Sequence, residues 1–294
     1  MDISNYDSDY LKFYEKRKSN SPHFELPSCE LGFNSRSTVV TAFTNPYRVY
    51  LHKYGEDIHV SESILAGSAN GNMFEAYTRI IMTQMLNALN IKNPVIVDIG
   101  ANIGLHALYF GSLGFEVHAF EPFKKNSELL SCSISANRFY NIKLNKFGLS
   151  ELENEMCMDV PQKNNHGHAV VSKSSKCENP LKFKRLDDYI NSDMKGIIPD
   201  VIKIDIEGHE FKALITAKEI FKLKKPKLIF SEFYPVFMRE QNVITAEYWQ
   251  YLKDLGYEVF DLRGKKVTLE NIDRNMDIVA IDKNYVDVVY KSSF

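Results

Sequence analysis

The sequence contains no run of roughly 18 consecutive apolar residues, so no membrane-spanning helix is expected. It shows no concentrated basic face either. Formal net charge is −2, and the lysines between Lys218 and Lys227 are interrupted by Phe221 and Leu223, as on a solvated helix end. That argues against a nucleic-acid backbone as partner. Cysteine is scarce. Its four copies, Cys29, Cys132, Cys157 and Cys177, form no CxxC pair and no metal-type spacing. An even count is no disulfide framework in a chain of this length. The opening residues MDISNYDSDYLKFYEKRKSN lack the apolar centre of a signal peptide, and the final KSSF carries no prenylated cysteine. A reducing, cytoplasmic location is the expectation these absences leave. No internal repeat and no low-complexity tract is present, and nothing in the sequence sets an oligomeric state.

Hydrophobic residues make up 44% and charged residues 25% of the 294, the balance of a globular chain with an ample core. The length suits one elaborated domain better than two. Residues 1–70 are aromatic-rich and irregular, with short strands expected at Ser37–Thr44 and Tyr47–His52. They read as an amino-terminal extension to a main domain at 71–294. Between Asn72 and Leu89, the residues Phe74, Tyr77, Ile81, Met85 and Leu89 share one helical face and are expected to pack in the core. From Val95 onward strand and helix alternate. Strands are expected at Val95–Val97, Val117–Phe120, Ile142–Asn145, Val201–Ile206, Lys227–Glu232, Tyr257–Leu262 and Met276–Ile281, and helices at Ile103–Leu113, Glu210–Phe221 and Thr245–Leu255. Residues 151–185 break the alternation and read as an inserted antiparallel hairpin or meander. Such alternation predicts an α/β fold, a parallel sheet with helices on both faces, whose ligands bind outside the carboxyl ends of the strands.

The segment Val95–Pro122, VIVDIGANIGLHALYFGSLGFEVHAFEP, carries the most information. It reads strand, glycine turn, helix, strand, carboxylate. Glycine lets a ligand approach the main chain, and a helix amino terminus offers free N–H groups. Glu121 lies 17 residues beyond Gly104, where an acid can accept hydrogen bonds from ribose hydroxyls. A dinucleotide fingerprint needs glycine where Asn102 and Leu105 stand, and no Gly-Lys-Ser/Thr follows Gly104. Asp98, before the turn, repels a pyrophosphate and attracts an amino group. A ligand with a ribose, an ammonium and a carboxylate but no phosphate fits these facts, and S-adenosylmethionine is such a ligand.

Three more segments fall at strand ends. In DVIKIDIEGHE, Asp200–Glu210, the residues Lys203, Asp205 and Glu207 project to one side of a strand, where Lys203 and Asp205 can offset one another. In SEFYP, Ser231–Pro235, the carboxylate of Glu232 and the phenol of Tyr234 face one side and can orient a hydroxyl substrate or take its proton. In FGLS, Phe147–Ser150, Leu149 and a backbone N–H can hold an adenine. His106, early in the first helix, can face the ligand but reads rather as packed against the sheet or solvated, and Glu75 reads as able to reach back over the cofactor. His166-Gly167-His168 lies in a polar run without further ligands nearby and reads as a solvated loop.

The stretches DIGANIG at 98–104, FEP at 120–122, RLDDYI at 185–190 and KIDIEGHE at 203–210 resemble the FkbM family of S-adenosylmethionine-dependent methyltransferases, from about Asn72 to Leu262. The resemblance implies the seven-stranded class I (Rossmann-like) methyltransferase fold and methylation of hydroxyl groups on small molecules or sugars. It places Asp98, Gly100, Ala101, Asn102 and Gly104 in the cofactor loop, Glu121 and Pro122 at the ribose-binding acid, and Asp205 at the acid of the KxDxEG motif. The expected reaction is in-line attack by the acceptor oxygen on the donor methyl. A group that removes one proton is needed, and the candidates are Asp205, Glu207, Glu232 and His209. Two carboxylates at Asp205 and Glu207 do not define a metal site, and no metal is assigned. The rival readings are an N-methyltransferase, a non-catalytic S-adenosylmethionine-binding protein, and a nicotinamide oxidoreductase, which Asn102 and Leu105 disfavour.

Overall fold

The computed structural model describes residues 24–293 apart from 32–34, 43–44, 161–164, 167, 173 and 175. The amino-terminal segment read above, Phe43, Thr44 and Gly167 thus lie outside the described residues. Val95–Ile99 (β1), Glu116–Phe120 (β2), Ile142–Asn145 (β3), Val201–Ile204 (β4), Leu228–Phe233 (β5), Tyr257–Asp261 (β6) and Met276–Asp282 (β7) form a seven-stranded sheet in the order β3-β2-β1-β4-β5-β7-β6. β1 to β5 run parallel, and β7 is antiparallel to both β5 and β6. Alternate residues feed two cores: Ile96 and Val201 enter the cluster on one face, Val97 and Ile202 the cluster on the other. Burial on both faces is why these strands read as continuous apolar runs. The chain order reverses between β1 and β4, so the crevice at their carboxyl ends is the place for a ligand.

The insertion between β3 and β4 is built from short strands. Asn154–Met156 pairs antiparallel with Leu181–Lys184, and Met158–Asp159 with Val170–Val171. In the amino-terminal region Ser37–Val40 pairs antiparallel with Tyr47–Tyr50. The second of these strands lies on the helix Lys124–Asn137, where the Tyr50 N–H donates to Ser133 Oγ at 2.9 Å and the Arg48 N–H to Asn137 Oδ1 at 2.7 Å. Val40, Tyr47, Val49 and Leu51 share a core cluster with Ile96 and Leu108.

Several elements differ from the sequence reading. The first crossover helix is only Ala107–Ser112, because Asn102 and Gly104 adopt left-handed backbone angles of +52° and +99° and delay it. The helix expected at Glu210–Phe221 is split by a tight turn at Ile215–Ala217, where the Thr216 hydroxyl accepts the Leu186 N–H. Phe74 and Tyr77 do not pack in the core; they are exposed, and the buried face of the helix Ala76–Ala88 is Ile81, Met82, Met85 and Leu86. The helix Lys124–Asn137 escaped notice because its buried side carries Asn126, Ser127, Ser131, Ser133 and Asn137, which mask the helical period.

The cysteine reading is corrected. Cys29 bonds Cys132, tying the amino-terminal region to the helix Lys124–Asn137, and Cys157 bonds Cys177 within the insertion. The partners are separated by 103 and 20 residues, so spacing alone held no trace of the pairing. No helix among the described residues is long and apolar enough to cross a membrane.

Candidate active site

The glycine turn after β1 is pinned to the end of β2. The N–H groups of Gly100 and Ala101 both donate to Phe120 O, at 3.0 and 2.9 Å. Glu121 closes the arrangement from the other side: Oε2 accepts the Asn102 N–H and Oε1 the Phe123 N–H, each at 2.8 Å. Burial nevertheless pushes the Glu121 carboxyl up to about 7. Lys203, facing Asp98 across the β1–β4 register, sends its ammonium upward to the turn. Its Nζ donates to Gly100 O at 3.3 Å and lies 3.5 Å from Asp205 Oδ2 and 3.8 Å from Asp98 Oδ1. Burial opposes this charge, but Asp205, Asp98 and Glu75 together hold its pKa above the usual lysine value.

Above the turn lies a cavity of about 590 Å³. Its wall carries six carboxylates, Glu75, Glu121, Asp205, Glu207, Glu232 and Asp277, against one lysine, Lys203. Burial pushes Asp205 up to about 8 against the pull of Lys203. Burial, reinforced by Asp205, Glu207, Glu210 and Asp277, pushes Glu232 up to about 12, so it carries a proton at neutral pH. Asp277 faces Glu232 in the β5–β7 register and is pushed by burial to about 6. Glu75 behaves oppositely. Burial would raise it, but the His106 hydrogen bond and the nearby cations hold it at about 2. Burial lowers the pKa of His106, so a neutral ring donates from Nε2 to Glu75 at 2.7 Å. His209, lowered by burial to about 4, pairs through Nε2 with Ser150 Oγ at 2.9 Å.

Gly100, Ala101, Asn102, Glu121, Pro122, Leu149 and Glu75, named from sequence for the cofactor, all line this cavity, as do Asp205, Glu207, His209 and Glu232. Two named residues sit off the wall. Asp98 is fully buried beneath the turn, beside Lys203. Gly104 serves packing: a Cβ there would stand 2.5 Å from Leu130 Cδ1. His168 corrects the sequence reading. It is not a solvated loop residue; Nδ1 lies 2.6 Å from Glu207 Oε1 on the cavity wall, and that bond raises its pKa. Neither His168 nor Asp277 was legible as a site residue. His168 arrives by the fold of the insertion. Asp277 had one signal, a carboxylate near the start of the apolar strand that comes last in chain order.

The buried acids make stability depend on pH. Asp205, Glu121, Glu210 and Glu232 keep protons in the fold that an unfolded chain, with carboxyl pKa values near about 4, gives up. The native state therefore binds more protons, so ligand-free stability falls from about pH 4 upward and is still falling between roughly pH 7 and 8.5, where Asp205 loses its proton and Glu232 still keeps its own. His168, with its raised pKa, contributes in the same sense, while histidines lowered by burial are neutral in both states there. The melting temperature of ligand-free protein is expected to drop across that interval; a flat or rising profile contradicts the protonation assignments.

A seven-stranded sheet of this order, with a glycine turn at its switch point and a buried acid directly after β2, defines a class I methyltransferase fold. The family model described as "Methyltransferase FkbM domain" matches residues 98–259, and the chain belongs to that family. Its methyl donor is accordingly S-adenosylmethionine. No curated protein matches the chain. Similar solved structures include magnesium protoporphyrin IX methyltransferase from Synechocystis PCC 6803 with bound S-adenosylmethionine, at 12% identity and TM-score 0.43, covering 79% of this chain and 87% of that one. Precorrin-6y C5,15-methyltransferase from Geobacter metallireducens GS-15 has 12% identity and TM-score 0.38, covering 69% of this chain and 88% of that one. The Methanococcus jannaschii fibrillarin pre-rRNA processing protein has 14% identity and TM-score 0.38, covering 65% and 67%. At such similarity nothing about the acceptor passes from them to this chain.

The residues present fit the donor. The cavity volume is of the size that small-molecule sites have. Its excess of carboxylates suits a ligand bearing a sulfonium and an ammonium. Buried Oε2 atoms of Glu207 and Glu232 have no hydrogen-bond partner among the described residues and await one.

Proposed function

We propose that this chain methylates a hydroxyl on a small molecule or sugar. The observation that carries the reading is Asp205. It stands beside Lys203, just beyond the carboxyl end of β4, with an ionisation near working pH. A general base is most effective with its pKa close to the pH of operation. The donor supplies an electrophilic methyl whose positive charge disappears on transfer. The chain supplies position and a proton acceptor. Glu121, fixed by the Asn102 and Phe123 N–H groups, is placed to hold ribose hydroxyls. Leu149 and Pro122 offer apolar surface for the base, and Glu75, held ionised by His106, would offset the donor's positive charge. Asp205 takes the acceptor proton. Glu232, protonated, serves as a hydrogen-bond donor to an acceptor oxygen, and the Glu207–His168 pair closes the remaining side. His209 is neutral and orients through Ser150.

The predominance of acidic side chains on the wall, even with Glu232 protonated, favours a second reading, a cationic acceptor methylated on nitrogen. Labelled methyl donor offered with panels of hydroxylated and amine acceptors separates the two. Donor binding is tested first. Glu121→Ala is expected to weaken S-adenosylmethionine binding about 10- to 100-fold by calorimetric titration, the worth of the two hydroxyl hydrogen bonds lost; unchanged affinity removes Glu121 from the site. On location, the cytoplasmic expectation rested on absences, whereas the two disulfides support an oxidising compartment, into which the donor must then be supplied.

A further inference from the structure

Beside the cavity, outside the machinery described so far, three metal-ligating side chains converge from distant parts of the chain. His52 follows the strand Tyr47–Tyr50, Glu56 lies in the next turn, and His166 belongs to the insertion. One ligand atom from each falls within 4.8 Å of the others. Glu56 Oε2 is 3.9 Å from His52 Nδ1 and 4.0 Å from His166 Nδ1, too long for hydrogen bonds. His166 Nδ1 is buried, and no hydrogen-bond partner for it is present among the described residues.

Asn126 settles which nitrogen of His52 is available. Its Nδ2 donates to His166 O at 3.2 Å, so its Oδ1 is the atom facing His52 Nε2 at 2.8 Å. An amide oxygen only accepts, hence Nε2 carries the proton and Nδ1 keeps a lone pair turned toward Glu56. A metal-binding histidine is commonly oriented in this way, by a hydrogen bond from its other nitrogen. The two imidazoles are neighbours, tilted 58° to one another with ring centres 5.0 Å apart. Burial lowers the pKa of both rings, favouring the neutral form a metal requires. Of the other charges nearby, Asp57 is committed to Ser61 and the Val60 N–H, and Lys125 is the opposing cation.

We propose that His52, Glu56 and His166 form a binding site for a zinc-type divalent cation, with water as fourth ligand. Two imidazoles and a carboxylate are a recognised zinc donor set, and ligands about 2.0–2.2 Å from a tetrahedral ion lie roughly 3.4 Å apart, a small closure from the spacing seen. The ion would fasten the insertion to the amino-terminal region. These segments are already joined by the Asp57–Asn165 bridge and by the His166 N–H donating to Glu56 O. Asn126 and Asn165 also line the cavity, and two residues beyond His166 stands His168, paired with Glu207. The site thus sets the position of one cavity wall, and it stands independently of which acceptor is methylated.

The test uses the full chain, tag-free, with its disulfides intact, so that no cysteine thiolate competes. After chelator stripping, zinc alone is titrated against a chromophoric chelator and the bound metal counted by mass spectrometry. One tightly held equivalent per chain is expected. Glu56→Gln, at a side chain 37% exposed and so tolerant of change, and His166→Ala should each weaken zinc binding at least about 30-fold with unchanged circular dichroism. Asn126→Ala should weaken it about 10- to 100-fold by releasing the His52 ring. Zinc should raise the melting temperature of the parent but not of Glu56→Gln or His166→Ala. A parent that takes up no tight zinc, or variants that hold it as well as the parent, overturns the site.

Discussion

Gly100→Ala is expected to abolish measurable S-adenosylmethionine binding and to lower the melting temperature by roughly 5–15 °C. Gly55→Ala, at nearly the same backbone angle, should lower it by only a few degrees. The two glycines have φ of +80° and +78°, so the left-handed penalty for a side chain, about 1–2 kcal/mol, is common to both. They differ in surroundings. Nothing lies within 4 Å of a Cβ added at Gly55, whereas one added at Gly100 overlaps the Asp205 carbonyl oxygen and stands 2.8 Å from Ile206 Cγ2. The added methyl drives a wedge between the ends of β1 and β4, and overpacking against backbone costs about 1–3 kcal/mol or more. The same wedge displaces the carbonyl of Gly100 from Lys203 and shifts Asp205, so binding and stability fall together. Thermal melts of both variants with donor titrations check this. Equal melting temperatures would show that Gly100 matters for its angle alone.

That close approach bears on how far the sequence could be read. The sheet strands were legible because burial on both faces leaves uninterrupted apolar runs, and Gly100, Asn102 and Glu121 were legible because a turn that exposes backbone N–H groups needs particular residues at fixed spacing. The function of Gly104 was not, since a ligand-facing glycine and one that admits Leu130 look the same in one dimension. Nor was the helix Lys124–Asn137, whose buried serines and asparagines bond to the strand Tyr47–Tyr50 and to its own backbone in place of apolar contacts. The pairings Cys29–Cys132 and His168–Glu207 arise from the path of the amino-terminal region and the insertion, which no local period encodes. Residue chemistry was readable wherever the main chain dictates it, and unreadable where distant segments meet.

The second large effect concerns Asp205. Asp205→Asn is expected to reduce kcat about 10²- to 10⁴-fold, the usual worth of a positioned general base, with little change in donor affinity. Amide and carboxylate are nearly equal in size, so packing at the switch point is kept while the proton acceptor is lost. The pH profile makes the test sharper. If ionised Asp205 takes the proton, kcat/KM of the parent rises with pH and levels off above an apparent pKa near 8, because the carboxylate form accumulates on that side. The variant should lose this inflection altogether. Glu232 supplies the contrast. Its carboxyl is pushed up to about 12, so Glu232→Gln replaces a neutral acid with a neutral amide and should leave the inflection in place, lowering kcat only through an altered hydrogen bond worth about 1 kcal/mol, roughly fivefold. Were Glu232→Gln to erase the inflection while Asp205→Asn retained it, the two carboxyls would have to exchange roles, with Glu232 ionised by the approach of the cationic donor and Asp205 reduced to anchoring Lys203.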